Sequence, residues 1–290
     1  MTNTLKDEIL QKEIWRGEVP VEYVLADGEV GVMNKPSAYY QLVPRMSYLP
    51  FYLQDVRDHF APSVPQLGND AKMWLSYRNV PVKWQLPAGV IYDIIKQGVE
   101  EQGTKLIQLT VHFEGFPEDQ ILQLQHEDEL RFFFNHSLKE AACIKFGSAK
   151  SIITLSTSDQ QDLCEAVRDC HSRFSNYQKI REKIERHAEG QSDKLPVRLF
   201  VGTAQDPLDK YKMLLRAARQ DLTFGQLLHF VLPKHFPEQH NQSSPMAEAK
   251  ALLHGVSPLV SCPLKFVAEN ASNPDFWINI VVVLPRETNA

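Results

Sequence analysis

The sequence predicts an α+β protein with a sheet domain at each end and helices between them. Three observations carry this. Short β-rich runs bounded by Gly and Pro occupy Val19 to Phe113 and return after Pro196. Between Pro117 and Gly190 the β signal nearly vanishes and apolar residues recur at helical spacing. The last third then repeats the element order of the first third without repeating its letters. These shifts put domain boundaries at 1–116, 117–190 and 191–290, a division that suits a chain of 290 residues.

The first region reads as follows. Leu5, Ile9 and Leu10 fall on one side of a polar opening helix that reaches Trp15. Val19 to Ala26 is a strand, Gly28 provides a turn, and Tyr39 to Val43 is a second strand ended by Pro44. Ser47 stands where it can cap a helix burying Leu49, Tyr52, Leu53, Val56 and Phe60, which Pro62 and Pro65 stop. Lys72 to Arg78 and Pro81 to Trp84 read as extended pieces. Pro87 opens a helix with Val90, Ile91, Ile94 and Ile95 on its buried side, and Leu106 to Phe113 closes the region as a strand. The order describes a small sheet wrapped over one helix.

In the middle, Leu130, Phe134, Leu138 and Ala141 form the stripe of a helix from about Asp128 to Phe146, ended by Gly147. Ser158 and Gln161 have the spacing of a capping box. The stripe that follows, Leu163, Val167, Cys170, Phe174, Tyr177 and Ile184, predicts one continuous helix of roughly 30 residues, about 45 Å long. The charged run Lys179 to His187 is expected to be its solvated face.

The last region repeats strand grammar. Val197 to Gly202 and Tyr211 to Ala217 are expected to pair. Thr223 and Gln226 box the start of a helix that turns Phe224, Leu227, Leu228 and Val231 inward, and Pro233 ends it. His235 to Glu248 reads as a polar loop, Leu252 and Leu253 as a short strand, Pro263 as a helix start, and Phe276 to Leu284 as a strong final strand.

Composition excludes several classes of function. Hydrophobic residues make up 43% and charged residues 23%, as in a folded soluble protein and unlike a disordered one. The best apolar run, Ile278 to Leu284, is strand-length and far below the roughly 18 residues that span a bilayer. Met1 to Glu13 is polar and charged, and the four cysteines form no CxxC pair, so a cytosolic protein is expected. Residues 1–130 carry 11 Lys and Arg against 19 Asp and Glu, whereas residues 131–290 carry 20 against 17. The acidic front argues against a nucleic-acid partner, which needs a basic face. The mild basic bias behind it permits contact with acidic lipid headgroups.

Motifs for catalysis are scarce. No P-loop, dinucleotide fingerprint, HExxH or nucleophile elbow occurs. Cys143 and His136 lie seven residues apart, about 10.5 Å along a helix, whereas a thiol–imidazole pair needs about 3 Å. His235 and His240 flank Pro237 without a cysteine or acid cluster, so no metal is expected there, and no cofactor anywhere. Trp15, Tyr39, Tyr40, Trp74, Tyr77, Trp84 and Trp277 are expected in cores or inter-domain grooves.

Ordered strings along the chain add a resemblance. Gly147-Ser148-Ala149-Lys150-Ser151-Ile152 resembles the fungal members of the autophagy-related protein 5 family in particular, and Trp15-Arg16-Gly17-Glu18-Val19-Pro20, Tyr39-Tyr40-x-Leu42-x-Pro44-Arg45-x-Ser47-Tyr48-Leu49, and Trp74-x-x-Tyr77 followed by Pro81-x-Lys83-Trp84-x-x-Pro87-x-Gly89 resemble the family as a whole. So do Thr110-Val111-His112-Phe113-x-x-Phe116-Pro117, Lys139-Glu140-Ala141, Thr223-Phe224-Gly225-x-Leu227-Leu228, His254-Gly255-x-x-Pro258 and Pro263-Leu264. The likeness runs from Trp15 to Pro285, with gaps at Gln97 to Lys105 and His235 to Lys250, where loops vary.

The resemblance implies two ubiquitin-like β-grasp domains flanking a helix-rich domain, and a scaffold rather than an enzyme. It implies a covalent partner, the ubiquitin-like autophagy-related protein 12, whose C-terminal glycine is joined to one lysine by an isopeptide bond. It also implies a bound N-terminal helix of autophagy-related protein 16 and passing contact with the E2 enzymes, autophagy-related proteins 10 and 3. Such an assembly acts like an E3 in joining autophagy-related protein 8 to phosphatidylethanolamine. It is cytoplasmic and peripheral on the pre-autophagosomal structure and isolation membrane.

By the same resemblance the acceptor is Lys139, one of eighteen lysines, in Phe132-Phe133-Phe134-Asn135-His136-Ser137-Leu138-Lys139-Glu140-Ala141. Lys139 falls about 100° from Leu138, on the flank of the buried stripe. Aminolysis of a thioester consumes a neutral amine, and an ordinary lysine is only about 0.04% neutral at pH 7, so the conjugating enzyme must desolvate it or supply a base. His136 lies three residues earlier on the same face and is read as incidental. Lys145 and Lys150 follow the acceptor helix and are expected to touch lipid headgroups. Two other readings stand beside this one: an unconjugated ubiquitin-like adaptor tethering a helical partner to membranes, and a thiol enzyme using Cys143 or Cys164.

Overall fold

The computed structural model describes residues 6–65, 68, 71–97, 106–124, 126–190, 192–203, 208–237 and 249–285. Leu5, His240 and most of the polar loop before Lys250 lie outside them. The chain opens with α1 (Glu8–Trp15), whose first turn is closed by the Asp7 carboxylate accepting from the Ile9 and Leu10 N–H groups. The first sheet follows: β1 (Glu18–Leu25), β2 (Tyr39–Pro44), β3 (Trp74–Tyr77), β4 (Val80–Pro81) and β5 (Ile107–His112), in the order β2-β1-β5-β3-β4. Burial alternates strictly along β1, so Val19, Val21, Tyr23 and Leu25 face the core. Between β2 and β3 lies α2 (Leu53–Phe60), and between β4 and β5 lies α3 (Ala88–Gln97), whose Ile91, Ile94 and Ile95 are buried as the spacing predicts.

The second sheet contains β6 (Lys194–Thr203), β7 (Lys212–Arg219), β8 (Lys250–Leu252) and β9 (Ile278–Leu284), in the order β7-β6-β9-β8. Its helices are α8 (Phe224–Val231) and α9 (Leu264–Ala271). In both sheets the first strand runs parallel to the last one at the centre and antiparallel to the second at the edge. That shared plan is the helix-cradling sheet the sequence suggests. β9 is buried along nearly its whole length, which explains its unbroken apolar run: one face meets its own domain and the other meets the helices.

The helical part holds α4 (Glu127–Phe146), α5 (Lys150–Ile153), α6 (Thr157–Arg168) and α7 (Phe174–Arg186). The predicted 30-residue helix is therefore two helices. The chain breaks after Arg168, where the Arg168 carbonyl accepts from the Tyr52 hydroxyl and the Cys170 carbonyl from the Trp15 indole. Carbonyls released by the break are thus satisfied by the first domain. The capping box is also displaced, being formed by Ser156 and Asp159 rather than Ser158 and Gln161. Ser47 caps nothing: a 3₁₀ turn over Leu49–Tyr52 leads into α2 without a side-chain cap. The boxes at Thr223 and Gln226, and the left-handed Gly147 (φ 75°) closing α4, are as predicted.

One apolar core runs through all three parts, joining Val21 and Leu109 of the first sheet, Leu138 and Tyr177 of the helices, and Phe200, Trp277 and Val281 of the second sheet. A smaller core closes the second domain around Phe224, Leu264 and Ile280. Trp15, Trp84 and Trp277 are buried in the shared core as expected, whereas Tyr40 is exposed on the edge strand β2 with its hydroxyl donated to Glu22.

Candidate functional site

The buried face of α4 carries Leu130, Phe134, Leu138, Ala141 and Ala142. The Tyr48 ring meets Phe134 edge-on at 6.2 Å, which ties the helix to the first domain. On the other side the ties are polar. The Ser137 hydroxyl donates to Asp275 Oδ2 at 2.6 Å, and Arg198 Nη2 donates to the Ser137 oxygen at 2.9 Å. The Trp277 indole donates to the Ser137 carbonyl at 3.1 Å, and the Arg198 guanidinium lies 4.0 Å over the Trp277 ring. Asp275, Trp277 and Ser137 are buried, so the helix is fixed in rotation as well as position.

Lys139 lies on the exposed flank of this clamped helix. His136, its neighbour one turn back, points its Nδ1 at Glu140 Oε1 (3.4 Å). Glu140 Oε2 in turn lies 3.7 Å from Arg198 Nη2. Cys143, one turn beyond Lys139, is exposed, while burial pushes the Cys164 thiol up to about 11. Burial thus disfavours the Cys164 thiolate, the form that acts as a nucleophile.

Lys145 departs from expectation. Its side chain is only 12% exposed, its amine sits 3.1 Å from Glu185 Oε1, and it rests over the Phe276 ring at 4.7 Å. Burial pulls its pKa below the ordinary lysine value. A headgroup cannot reach it. Lys150, in contrast, is well exposed and pairs with Glu189 at the surface. The spacing held the clue: Lys145 falls seven residues after Leu138, back on the buried stripe.

Glu185 is a hub that the expected solvated face from Lys179 to His187 did not foresee. It receives Lys6 at 3.1 Å, Lys145 at 3.1 Å and Arg181 at 3.2 Å. Burial opposes its charge, but the cations of Lys145, Arg181 and Lys6 win and hold its carboxyl at about 2. Arg181 is buried and also approaches Glu269 of α9 at 3.6 Å, so the cluster fastens the segment leading into α1 to α4, α7 and α9.

A second polar joint gathers residues from distant strings. Arg45 Nη2 donates to both carboxylate oxygens of Asp93, at 2.6 and 2.5 Å, and to the Gly89 carbonyl at 3.3 Å. From the second domain, His254 and Gly255 close over this pair. A methyl group on Gly255 would lie 3.3 Å from Arg45 Nη2, and Gly255 itself is left-handed at φ 83°. His254 donates to the Ala271 carbonyl at 2.8 Å, and burial lowers its pKa to about 4. Beside this joint runs an apolar groove of about 370 Å³, between α1 (Leu10, Ile14) and the segment carrying Val256, Phe266 and Val267.

Among the described residues, no group of three or more His, Cys, Asp and Glu side chains is arranged to hold a metal ion, and no helix is long and apolar enough to cross a membrane.

Residues 14–113 match the UblA domain of autophagy protein ATG5, residues 127–186 its alpha-helical bundle region, and residues 194–282 its UblB domain. The chain belongs to the autophagy protein 5 family. It is 29% identical to autophagy protein 5 of Aspergillus clavatus over 97% of this chain and 99% of that one. Autophagy protein 5 of Oryza sativa subsp. indica is 30% identical over 68% of this chain and 56% of its own. The crystal structure of Kluyveromyces marxianus Atg5 shares the fold, with a TM-score of 0.76 over 95% of this chain and 99% of that chain, at 21% identity. Two ubiquitin-like domains thus flank a helical bundle, and the chain has a role in autophagy. The family strings containing Gly17, Arg45, Gly89 and His254-Gly255 are scattered in sequence, yet all four meet at the Arg45–Asp93 joint.

Proposed function

We propose that this chain is a non-catalytic scaffold of autophagy, joined through Lys139 to autophagy-related protein 12. The observation that carries the reading is an exposed Lys139 on a helix whose opposite face is clamped by Ser137, Asp275, Arg198 and Trp277. A fixed helix presents the amine at one place, so an incoming carrier need not order it. In the joining step the neutral amine attacks the thioester carbonyl of the modifier's terminal glycine. A C–N bond forms, the C–S bond breaks, and the amine's proton passes to the departing sulfur, which stays on the conjugating enzyme as its thiol. The chain supplies the amine and no other reacting group.

The groove between α1 and α9 suits the apolar face of the autophagy-related protein 16 helix, read at i, i+3 and i+4. The assembled complex then assists transfer of autophagy-related protein 8 onto phosphatidylethanolamine, with the exposed Lys150 exchanging its surface partner Glu189 for the headgroups of the growing membrane. The test is an immunoblot of the native host with Lys139→Arg, which keeps the charge and removes the reactive amine. The heavier conjugated band should disappear. If it persists at normal level, Lys139 is not the acceptor. If the wild-type chain never shows that band yet co-purifies with a tagged fragment of protein 16, the unconjugated adaptor is the correct reading.

A further inference from the structure

The two sheets present four outer strands, and among the described residues three of these edges are blunted against pairing with another chain. β4 is two residues long, β8 is three and begins with Lys250, and β7 carries the exposed cations Lys212, Arg216 and Arg219. β2 differs from all of them. It is six residues long, keeps continuous register against β1, and has no charged side chain. Tyr40 and Leu42 are 61% and 58% exposed along it. A long, uncharged edge without a bulge is a template for one more strand.

The ladder fixes which backbone groups are open. Residues of an antiparallel pair alternate between bonded and unbonded positions. The Arg45 N–H donates to the Gly17 carbonyl at 2.8 Å, one step beyond the Glu18–Pro44 pair. Counting back by twos, Val43, Gln41 and Tyr39 bond to β1, so Tyr40 and Leu42 turn their N–H and C=O groups outward. Pro20, which lies opposite Leu42 and has no N–H to give, agrees with that phase. Pro44 is the next outward position and ends the row of donors.

We infer that this edge receives an extended, positively charged segment of another protein as an added strand. The outward groups of Tyr40 and Leu42 match extended backbone, whose own donors and acceptors alternate in the same way. The sign follows from the surface beside them. Glu22, opposite Tyr40 on β1, accepts from the Tyr40 hydroxyl at 2.8 Å and the Gln108 carboxamide at 2.9 Å, and both donors are neutral. A lysine in the added strand can lay its stem along Tyr40 or Leu42 and bring its ammonium to Glu22. Residues 1–130 carry 19 Asp and Glu against 11 Lys and Arg, so a second copy of this chain would set acid against acid. This role is independent of Lys139.

The probe is a fluorescein-labelled, C-terminally amidated peptide of four lysines alternating with three valines, titrated with the full chain at about 0.15 M salt and read by anisotropy. Wild type should bind it. Leu42→Pro removes the outward N–H at a place where an edge strand accepts proline, and should weaken binding at least tenfold. Leu42→Lys, which repels the probe from the same position, should do likewise; thermal melting checks that both variants fold. No binding to wild type, or equal binding to all three proteins, overturns the inference. So does equal binding of the peptide with every amide N-methylated, because charge alone would then suffice. Equal binding of a peptide with glutamate in place of each lysine overturns the sign. Sedimentation of the chain without peptide tests the other occupant: a dimer that Leu42→Pro dissolves gives the edge to a second copy and overturns this role.

Discussion

Ser137 and Asp275 meet 2.6 Å apart across the boundary between α4 and the second ubiquitin-like domain, hydroxyl to carboxylate. Neither side chain touches water appreciably, and Arg198 bridges them from the next strand. One rotation of α4 satisfies all three, and it is the rotation that turns Lys139 outward. Asp275→Ala should therefore cost about 3–5 kcal/mol, because Arg198 loses its buried counter-ion and keeps only the half-exposed Glu140 at 3.7 Å. Ser137→Ala removes one hydrogen bond and should cost about 1 kcal/mol. Urea titration of the two variants checks the ranking.

Glu185 supplies a prediction with a pH signature. Its folded carboxyl sits at about 2 against an ordinary 4.5, so the unfolded chain binds the proton first as pH falls. The stabilisation is complete above about pH 4.5 and disappears as pH drops through about 2. Glu185→Gln should lose about 3 kcal/mol at pH 7, and the gap to wild type should shrink steadily below about pH 4.5. Unfolding midpoints in urea at pH 7, 4 and 3 measure it.

His254 works in the opposite charge state. Burial lowers its folded pKa to about 4 from 6.5, so here too the unfolded chain takes up the proton first. Its neutral form supports the fold fully above about pH 6.5, and that support fades toward about pH 4, for a total of about 3 kcal/mol. Replacing it by Gln, which keeps a donor for the Ala271 carbonyl, should flatten the decline in Tm between pH 7 and 5. An equal decline in both proteins would refute the assignment.

Gly89 is held small by its neighbour. A methyl group there would lie 2.9 Å from Arg45 Cβ and 3.0 Å from the Arg45 carbonyl oxygen. Gly89→Ala should displace Arg45 from Asp93, cost about 1–3 kcal/mol, and weaken capture of a protein 16 helix fragment in a pull-down.

Lys145 and Lys150 are five residues apart and should respond in opposite ways. Lys145→Glu sets an acid against Glu185 inside the cluster and should destabilise by about 3–5 kcal/mol. Lys150→Glu should leave stability within about 0.5 kcal/mol and lower flotation with anionic liposomes. Unchanged flotation rejects the membrane role of Lys150.

The elements were legible wherever local chemistry decides them. The α4 stripe, its terminal Gly147, the box at Thr223 and the presence of a strand at β1 all follow from spacing, composition and turn residues. Features decided by distant partners were not. An unbroken apolar stripe hides the break after Arg168, because the groups that satisfy it are Tyr52 and Trp15, more than a hundred residues away. Likewise nothing near Arg45 announces Asp93 or His254. Around Lys139, the exposure of the side chain is a matter of helix geometry, but the clamp at Ser137 needs Asp275 from the far end of the chain.

Phe276 holds a left-handed backbone at φ 67°, a conformation that favours glycine, while its ring stands edge-on to Phe146 and beneath Lys145. The turn can keep that shape only when the bundle is already pressed against it. A fragment containing residues 191–290 alone would therefore lose the brace for the turn leading into its central strand, and the exposed Trp277 with it.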